Sequence, residues 1–157
     1  VRPCVFRNCA ITRSVTGMIT ELNGGAPKLL FRNCIIGSLI LSKRGNALIN
    51  TPAIYDSDYN CFLWDPENQN RFIIKDVKGG LAGWTEKTKQ DAHSIETDPG
   101  WPLSKKLGYG AGNNGTVDLA PLAISDLILP PDSPCRGKGE NGADIGPRWD
   151  RFLEKKP

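Results

Sequence analysis

His93 is the single histidine of the chain, and it lies in Asp91-Ala92-His93-Ser94, among groups that could make it a proton acceptor. An imidazole works as a general base only where a nucleophile and an orienting partner are matched to it. No G-x-S-x-G turn supplies that nucleophile, and one histidine cannot build a multi-histidine metal site. His93 therefore reads first as a hydrogen-bonded structural residue. Asp56, Asp58 and Asp65 are the one close acidic group, and their spacing is not that of a calcium loop. They read as turn residues. The five cysteines are Cys4, Cys9, Cys34, Cys61 and Cys135, and no two have the C-x2-C spacing of a zinc or redox site. They read as small buried apolar residues, with a single disulfide as the alternative. These residues indicate no catalytic group, no metal site and no cofactor.

The elements that must position such residues come from a chain of 157 residues, enough for one domain with a real core. Its 17 glycines and 12 prolines place much of it in turns. The net charge is only +3, and basic residues are adjacent just at Lys43 with Arg44, Lys105 with Lys106 and Lys155 with Lys156. A nucleic-acid surface needs a dense basic face, so that partner is not expected. No apolar run approaches the ~20 residues of a membrane span. The sequence opens in a strand-like run, Val1-Arg2-Pro3-Cys4-Val5-Phe6, without an initiator Met, signal peptide or lipidation motif. This predicts a piece of a longer protein.

Self-similarity is the strongest signal. Phe6-Arg7-Asn8-Cys9-Ala10-Ile11 returns 25 residues later as Phe31-Arg32-Asn33-Cys34-Ile35-Ile36. A third, worn copy follows 27 residues further on as Asp58-Tyr59-Asn60-Cys61-Phe62-Leu63, which keeps the Asn-Cys pair and two apolar residues. A period near 25 residues fits one coil of a right-handed parallel β-helix, three short strands and three turns. Intervening runs such as Met18-Ile19-Thr20-Glu21-Leu22, Gly37-Ser38-Leu39-Ile40-Leu41 and Ala47-Leu48-Ile49 read as further strands bounded by turn residues. The expectation is an all-β solenoid with a short flanking helix and a loop-rich C-terminal end.

In that register Asn8, Asn33 and Asn60 would stack as a ladder at one turn, each tolerating left-handed backbone and bonding to the next rung. Cys9, Cys34 and Cys61 would stack beside them, and Ile11, Ile36 and Leu63 below. Residues 1–65 would be regular coils, and 66–147 terminal coils. The latter carry a helix over about 80–91, with Leu81, Trp84 and Thr88 on one side, and a long loop over 101–125. Phe72-Ile73-Ile74, Ser94-Ile95-Glu96-Thr97-Asp98-Pro99 and Asp126-Leu127-Ile128-Leu129 read as short strands. Residues 148–157 would be a charged tail.

Several runs also carry a family likeness. Asp58-Tyr59-Asn60-Cys61-Phe62, Gly80-Leu81-Ala82-Gly83-Trp84, Gln90-Asp91-Ala92-His93-Ser94-Ile95 and Asp98-Pro99 precede Leu129-Pro130-Pro131-Asp132-Ser133-Pro134-Cys135, Gly137, Gly139 and Asp144-Ile145-Gly146. Together they resemble the C-terminal region of bacterial right-handed parallel β-helix proteins of the pectate-lyase-like superfamily. The resemblance covers most of the chain from Asp58 onward and concerns fold more than activity. It implies an extracellular or cell-surface setting, and a role beside polysaccharide. It also implies that the open N-terminal end stacks on missing coils of the same protein or on itself.

Arg7, Arg32 and Tyr59 share one position in the repeat, with Trp64 at the end of the row. Pointing outward, they would make a strip suited to sugars, which stack on aromatic faces and hydrogen-bond to planar polar groups. A lyase would need a base and a cation beside a substrate carboxylate, and nothing here assembles them. The expected function is thus non-catalytic carbohydrate recognition or surface display. The alternative is the tail of a polysaccharide lyase or glycoside hydrolase whose active site lies upstream.

Overall fold

Each copy of the phrase folds as two short strands joined by a corner. Cys4–Arg7 (β1) and Ala10–Ile11 (β2) form the first pair, and Leu29–Arg32 (β3) and Ile35–Ile36 (β4) the second. Tyr55–Asp58 (β5) and Cys61–Phe62 (β6) form the third. These elements belong to a computed structural model that describes residues 3–11, 29–36, 55–62, 80–102 and 123–149. At each corner one residue enters left-handed backbone: Asn8 at φ 51°, Asn33 at 55° and Tyr59 at 57°. Asparagine tolerates this region through its short polar side chain, whereas a tyrosine there is a conformational cost.

The strands pair in parallel into two sheets, ordered β1-β3-β5 and β2-β4-β6-β7, where β7 is Ile95–Glu96. Arg7 lies beside Arg32, and Arg32 beside Asp58. Past the corner, the Ile35 N–H donates to Cys9 O at 2.9 Å, the Cys61 N–H to Cys34 O at 2.8 Å and the Ile95 N–H to Asn60 O at 2.8 Å. These three equivalent bonds correct the alignment of the third copy by one residue. Asn60 takes the place of Cys9 and Cys34, and Tyr59 takes the place of Asn8 and Asn33. The Asn8, Asn33, Asn60 ladder and the Cys9, Cys34, Cys61 stack therefore do not form as predicted. Backbone conformation, not the matching letters, sets the register.

The expected closed solenoid also gives way to a different architecture. The described residues form two small parallel sheets, one of three strands and one of four, with one α-helix and no third strand closing a coil. The corner divides each phrase into an arm of four residues and an arm of two, and the sheet built from the longer arms ends at β5. On the fourth rung the place beside β5 goes to a turn, where the Asp91 N–H donates to Ser57 O at 2.9 Å. The runs at 18–22, 37–41, 47–49 and 72–74, and most of the 101–125 loop, lie outside the described residues. Residues 126–129 do not make the expected strand. Ile124–Leu127 is a 3-10 helix instead, because the Asp126 carboxylate accepts the Ala123 N–H at 2.8 Å and tightens the turn.

Helix α1 (Leu81–Thr88) precedes that turn. Leu81 and Trp84, three residues apart, are its buried face. Gly80 offers no capping side chain, and the Leu81 N–H donates instead to Glu96 Oε2 at 3.2 Å. A Cβ on Gly80 would stand 3.0 Å from that same oxygen, so glycine lets the carboxylate in. The helix stops at Lys89, left-handed at φ 59°, whose N–H donates to Thr85 O at 2.9 Å.

Ile35 and Cys61 anchor the apolar core, together with Trp101, Leu129, Cys135 and Ile145. Burying one such large side chain stabilises by about 1.5–3 kcal/mol. The C-terminal turns reach this core through the Gly146 N–H, which donates to Asn33 O at 2.8 Å, and the Glu140 N–H, which donates to Asn33 Oδ1 at 2.7 Å. Gly146 sits at φ 115°, and a Cβ there would meet Ile35 Cδ1 at 2.7 Å. Gly137 is at φ 64°, and a Cβ there would make only an ordinary contact, with Gly142 O at 3.9 Å. We expect Gly146→Ala to lower stability by about 2 kcal/mol or more, from strain and overpacking together. Gly137→Ala should cost roughly 1 kcal/mol from backbone strain alone. Urea denaturation of both variants checks the order, and equal losses would mean that Gly146 does not pack on β4.

Candidate functional site

Asp58 ends β5 and organises the corner that follows it. Its Oδ1 accepts the Tyr59 N–H at 2.9 Å and the His93 N–H at 2.8 Å, and its Oδ2 meets His93 Nδ1 at 2.8 Å. Burial alone would raise this carboxyl's pKa. The hydrogen bonds from the His93 ring, the His93 N–H and the Tyr59 N–H outweigh burial and hold it below the usual carboxylate range. With Nδ1 facing a carboxylate, the favoured tautomer carries its proton there and leaves Nε2 as an acceptor. The Tyr59 and His93 rings stack face to face, centroids 4.6 Å apart and planes 5° apart. The His93 side chain is 60% exposed, so the pair presents a face to solvent.

Beneath this pair lies a buried polar cluster that fixes it. Asp91 Oδ1 accepts from Ser57 Oγ at 2.7 Å, Ser94 Oγ at 2.7 Å and Asn60 Nδ2 at 3.3 Å, while Oδ2 accepts from Trp84 Nε1 at 2.9 Å. Burial pushes the Asp91 carboxyl up, and the hydrogen bonds from Ser57, Ser94, Trp84 and Asn60 pull against it. Ser94 Oγ also accepts the Asn60 N–H at 2.8 Å, which ties the His93 turn to the third rung. Both serine hydroxyls near His93 are thus committed to Asp91. The site can stack a ring and accept or donate hydrogen bonds. It offers Nε2 no hydroxyl nucleophile among the described residues.

The residues expected to form a strip are placed differently. Arg7 and Arg32 are neighbours across β1 and β3, but each guanidinium holds a carboxylate. Arg7 Nη1 donates to Glu140 Oε2 at 2.7 Å, and Arg32 Nη2 to Asp56 Oδ1 at 2.5 Å. Arg32 Nη1 further donates to Phe31 O at 2.9 Å and Asp56 O at 3.1 Å, and its side chain is only 17% exposed. Tyr59 lies one residue beyond the Arg row, at the corner. Trp64 and Asp65 fall outside the described residues. The Asp58–His93 and Tyr59–His93 contacts were missed, because they join residues 35 and 34 apart and one rung apart, and the last rung bears no copy of the phrase. The one available signal was Asp91-Ala92-His93-Ser94 itself, a dense polar run after a helix.

Among the described residues no three His, Cys, Asp or Glu side chains converge to hold a metal. No helix there is long and apolar enough to cross a membrane. Comparison with protein-family models, with curated proteins and with solved structures finds no match to this chain.

Two outcomes test this geometry. Asp91→Asn replaces an acceptor by an amide that must aim a donor at another donor, so stability should fall by about 2–3 kcal/mol in urea denaturation at neutral pH. A loss under 0.5 kcal/mol would be incompatible with the buried cluster (roughly the scatter of surface substitutions). For Asp58, a folded pKa below the unfolded one means stability that is present above the unfolded pKa and is lost as pH falls through the folded value. Carboxyl carbon NMR titration should therefore find Asp58 below the ordinary range, and His93→Ala should move it upward. An unmoved Asp58 in that variant would show that the imidazole is not its partner.

Proposed function

We propose that this chain is a non-catalytic recognition module whose ligand class is carbohydrate, bound at the Tyr59–His93 stack. One observation carries the reading: an aromatic residue occupies the left-handed corner that asparagine fills on the two preceding rungs. Non-glycine residues in sparsely populated backbone are over-represented where a side chain must be aimed, and Tyr59 is aimed onto an exposed imidazole. The apolar faces of a sugar ring stack on such side chains, and His93 Nε2 is an acceptor for a hydroxyl at the edge. Asp58 acts as a positioning residue, fixing the ring and its tautomer. Arg7 and Arg32 serve the same module by holding Glu140 and Asp56. Since Ser57 and Ser94 are engaged by Asp91, the His93–Asp58 pair orients a ligand and activates nothing.

Tyr59→Asn separates strain from binding. It restores the corner residue of Asn8 and Asn33, so the thermal midpoint should stay level or rise by about 2–4 °C. Removing the ring should weaken retention on an array of neutral and acidic oligosaccharides about tenfold. Unaltered binding by this variant, or no oligosaccharide held by the unsubstituted chain, would overturn the proposal.

A further inference from the structure

A strand at the edge of a sheet shows a row of unpaired N–H and C=O groups, and folded chains cover or blunt such rows. The three-stranded sheet runs β1-β3-β5, so β1 and β5 are its edges. The chain covers β5 itself. Gln90 Oε1 accepts the Ser57 N–H at 3.0 Å, and Ser57 O accepts the Asp91 N–H at 2.9 Å. In the four-stranded sheet the edges, β2 and β7, are each two residues long, too short to invite a neighbour. β1 is four residues long, and no described residue pairs with its outer side.

One bond fixes which groups that side shows. The Asn8 N–H donates to Arg32 O at 3.1 Å, so the backbone groups of Asn8, and by alternation those of Phe6 and Cys4, turn toward β3. Those of Val5 and Arg7 turn outward. Pro3, next in that series, has no N–H to offer. The outward groups therefore flank Phe6 symmetrically. Val5 is 51% exposed, and Phe6 keeps part of its surface open although Phe31, stacked on it, is buried. The Arg7 guanidinium is already held by Glu140, so its charge does not repel a like group.

We propose that β1 is a self-association edge, on which a second copy of this chain pairs its own β1 antiparallel about a two-fold axis at Phe6. Val5 exchanges backbone hydrogen bonds with the partner's Arg7, and Arg7 with the partner's Val5. Arg7 O accepts Cys9 Sγ at 3.2 Å, and its second lone pair serves the partner. Phe6 faces the partner's Phe6 as a non-hydrogen-bonded pair, the closer kind, which carries the Phe6–Phe31 stack across the axis. On the outer face Val5 packs on the aliphatic stem of the partner's Arg7. The pairing continues the β1–β3 interface by one more strand and leaves no outward group of Val5 or Arg7 unused. A self-complementary strip of this kind closes as a two-fold dimer.

Analytical ultracentrifugation of the full chain tests this, under reductant so that the exposed Cys4 does not cross-link copies. The expected result is a reversible dimer with a Kd on the order of 100 µM, weak because the edge is short. Val5→Pro deletes an outward N–H and leaves the inward ladder intact, so it should stay monomeric up to about 1 mM with the thermal midpoint level. A second pair of variants does not depend on the proline being tolerated. Val5→Lys sets like charges opposite each other at the partner's Arg7, whereas Val5→Glu sets opposite ones, so the Glu variant should dimerise about tenfold more tightly than the Lys variant. An unsubstituted chain that is monomeric at about 1 mM, a dimer that persists in Val5→Pro, or equal affinities of the Lys and Glu variants would overturn the proposal.

Discussion

The side-chain amide of Asn60 is fully buried, and it binds three successive rungs together. Its Oδ1 accepts the Cys34 N–H at 2.9 Å, while Nδ2 donates to Phe31 O at 3.3 Å, Ser57 Oγ at 2.9 Å and Asp91 Oδ1. An unpaired buried polar group costs about 1–3 kcal/mol. The amide is therefore affordable only in a single alignment of the third rung with the second below and the Asp91 turn above. A slip by one residue would strand several donors and acceptors at once. The short strands have few ladder bonds of their own, so this side chain does what strand length does in larger sheets.

The two sheets divide their work along the same line. Phe6 and Phe31 stack with centroids 4.8 Å apart, but the next place in that column belongs to Ser57, and the interior turns polar there. That polar end carries Asp91 and, through Ser94 and Asp58, the Tyr59–His93 pair with its exposed imidazole. In the other sheet the column stays apolar, from Ile35 to Cys61, and gathers Trp101, Leu129, Cys135 and Ile145. The apolar side holds the C-terminal turns in place. The polar side, whose hydrogen bonds are directional, aims the site.

Much of the frame was legible in the residues, and the errors have physical causes. Phe6-Arg7-Asn8-Cys9 and its second copy correspond at a spacing that β1 and β3 keep in their pairing. The third copy misled because Asn60-Cys61 repeats the letters but not the conformation. The corner residue there is Tyr59, which no propensity favours in left-handed backbone. Leu81 and Trp84 marked a helix face from spacing alone. The link of His93 to Asp58 was not legible, because α1 and its left-handed exit decide which rung that turn joins. The guanidinium of Arg7 could not be assigned either, since its partner Glu140 is 133 residues away.

The corner geometry is indifferent to what lies between the phrases. Cys34 and Asn60 occupy equivalent places 26 residues apart, whereas Asn60 and Ser94, similarly related, are 34 apart, with a whole helix accommodated in the longer interval. Connector length is thus a free variable, and a connector can gain or lose residues while the rungs keep their pairing. The few residues around each corner have no such latitude, because one inserted there would turn the inward side chains outward. Surface and frame can consequently change independently, with new material added between rungs and the stack beneath left as it was.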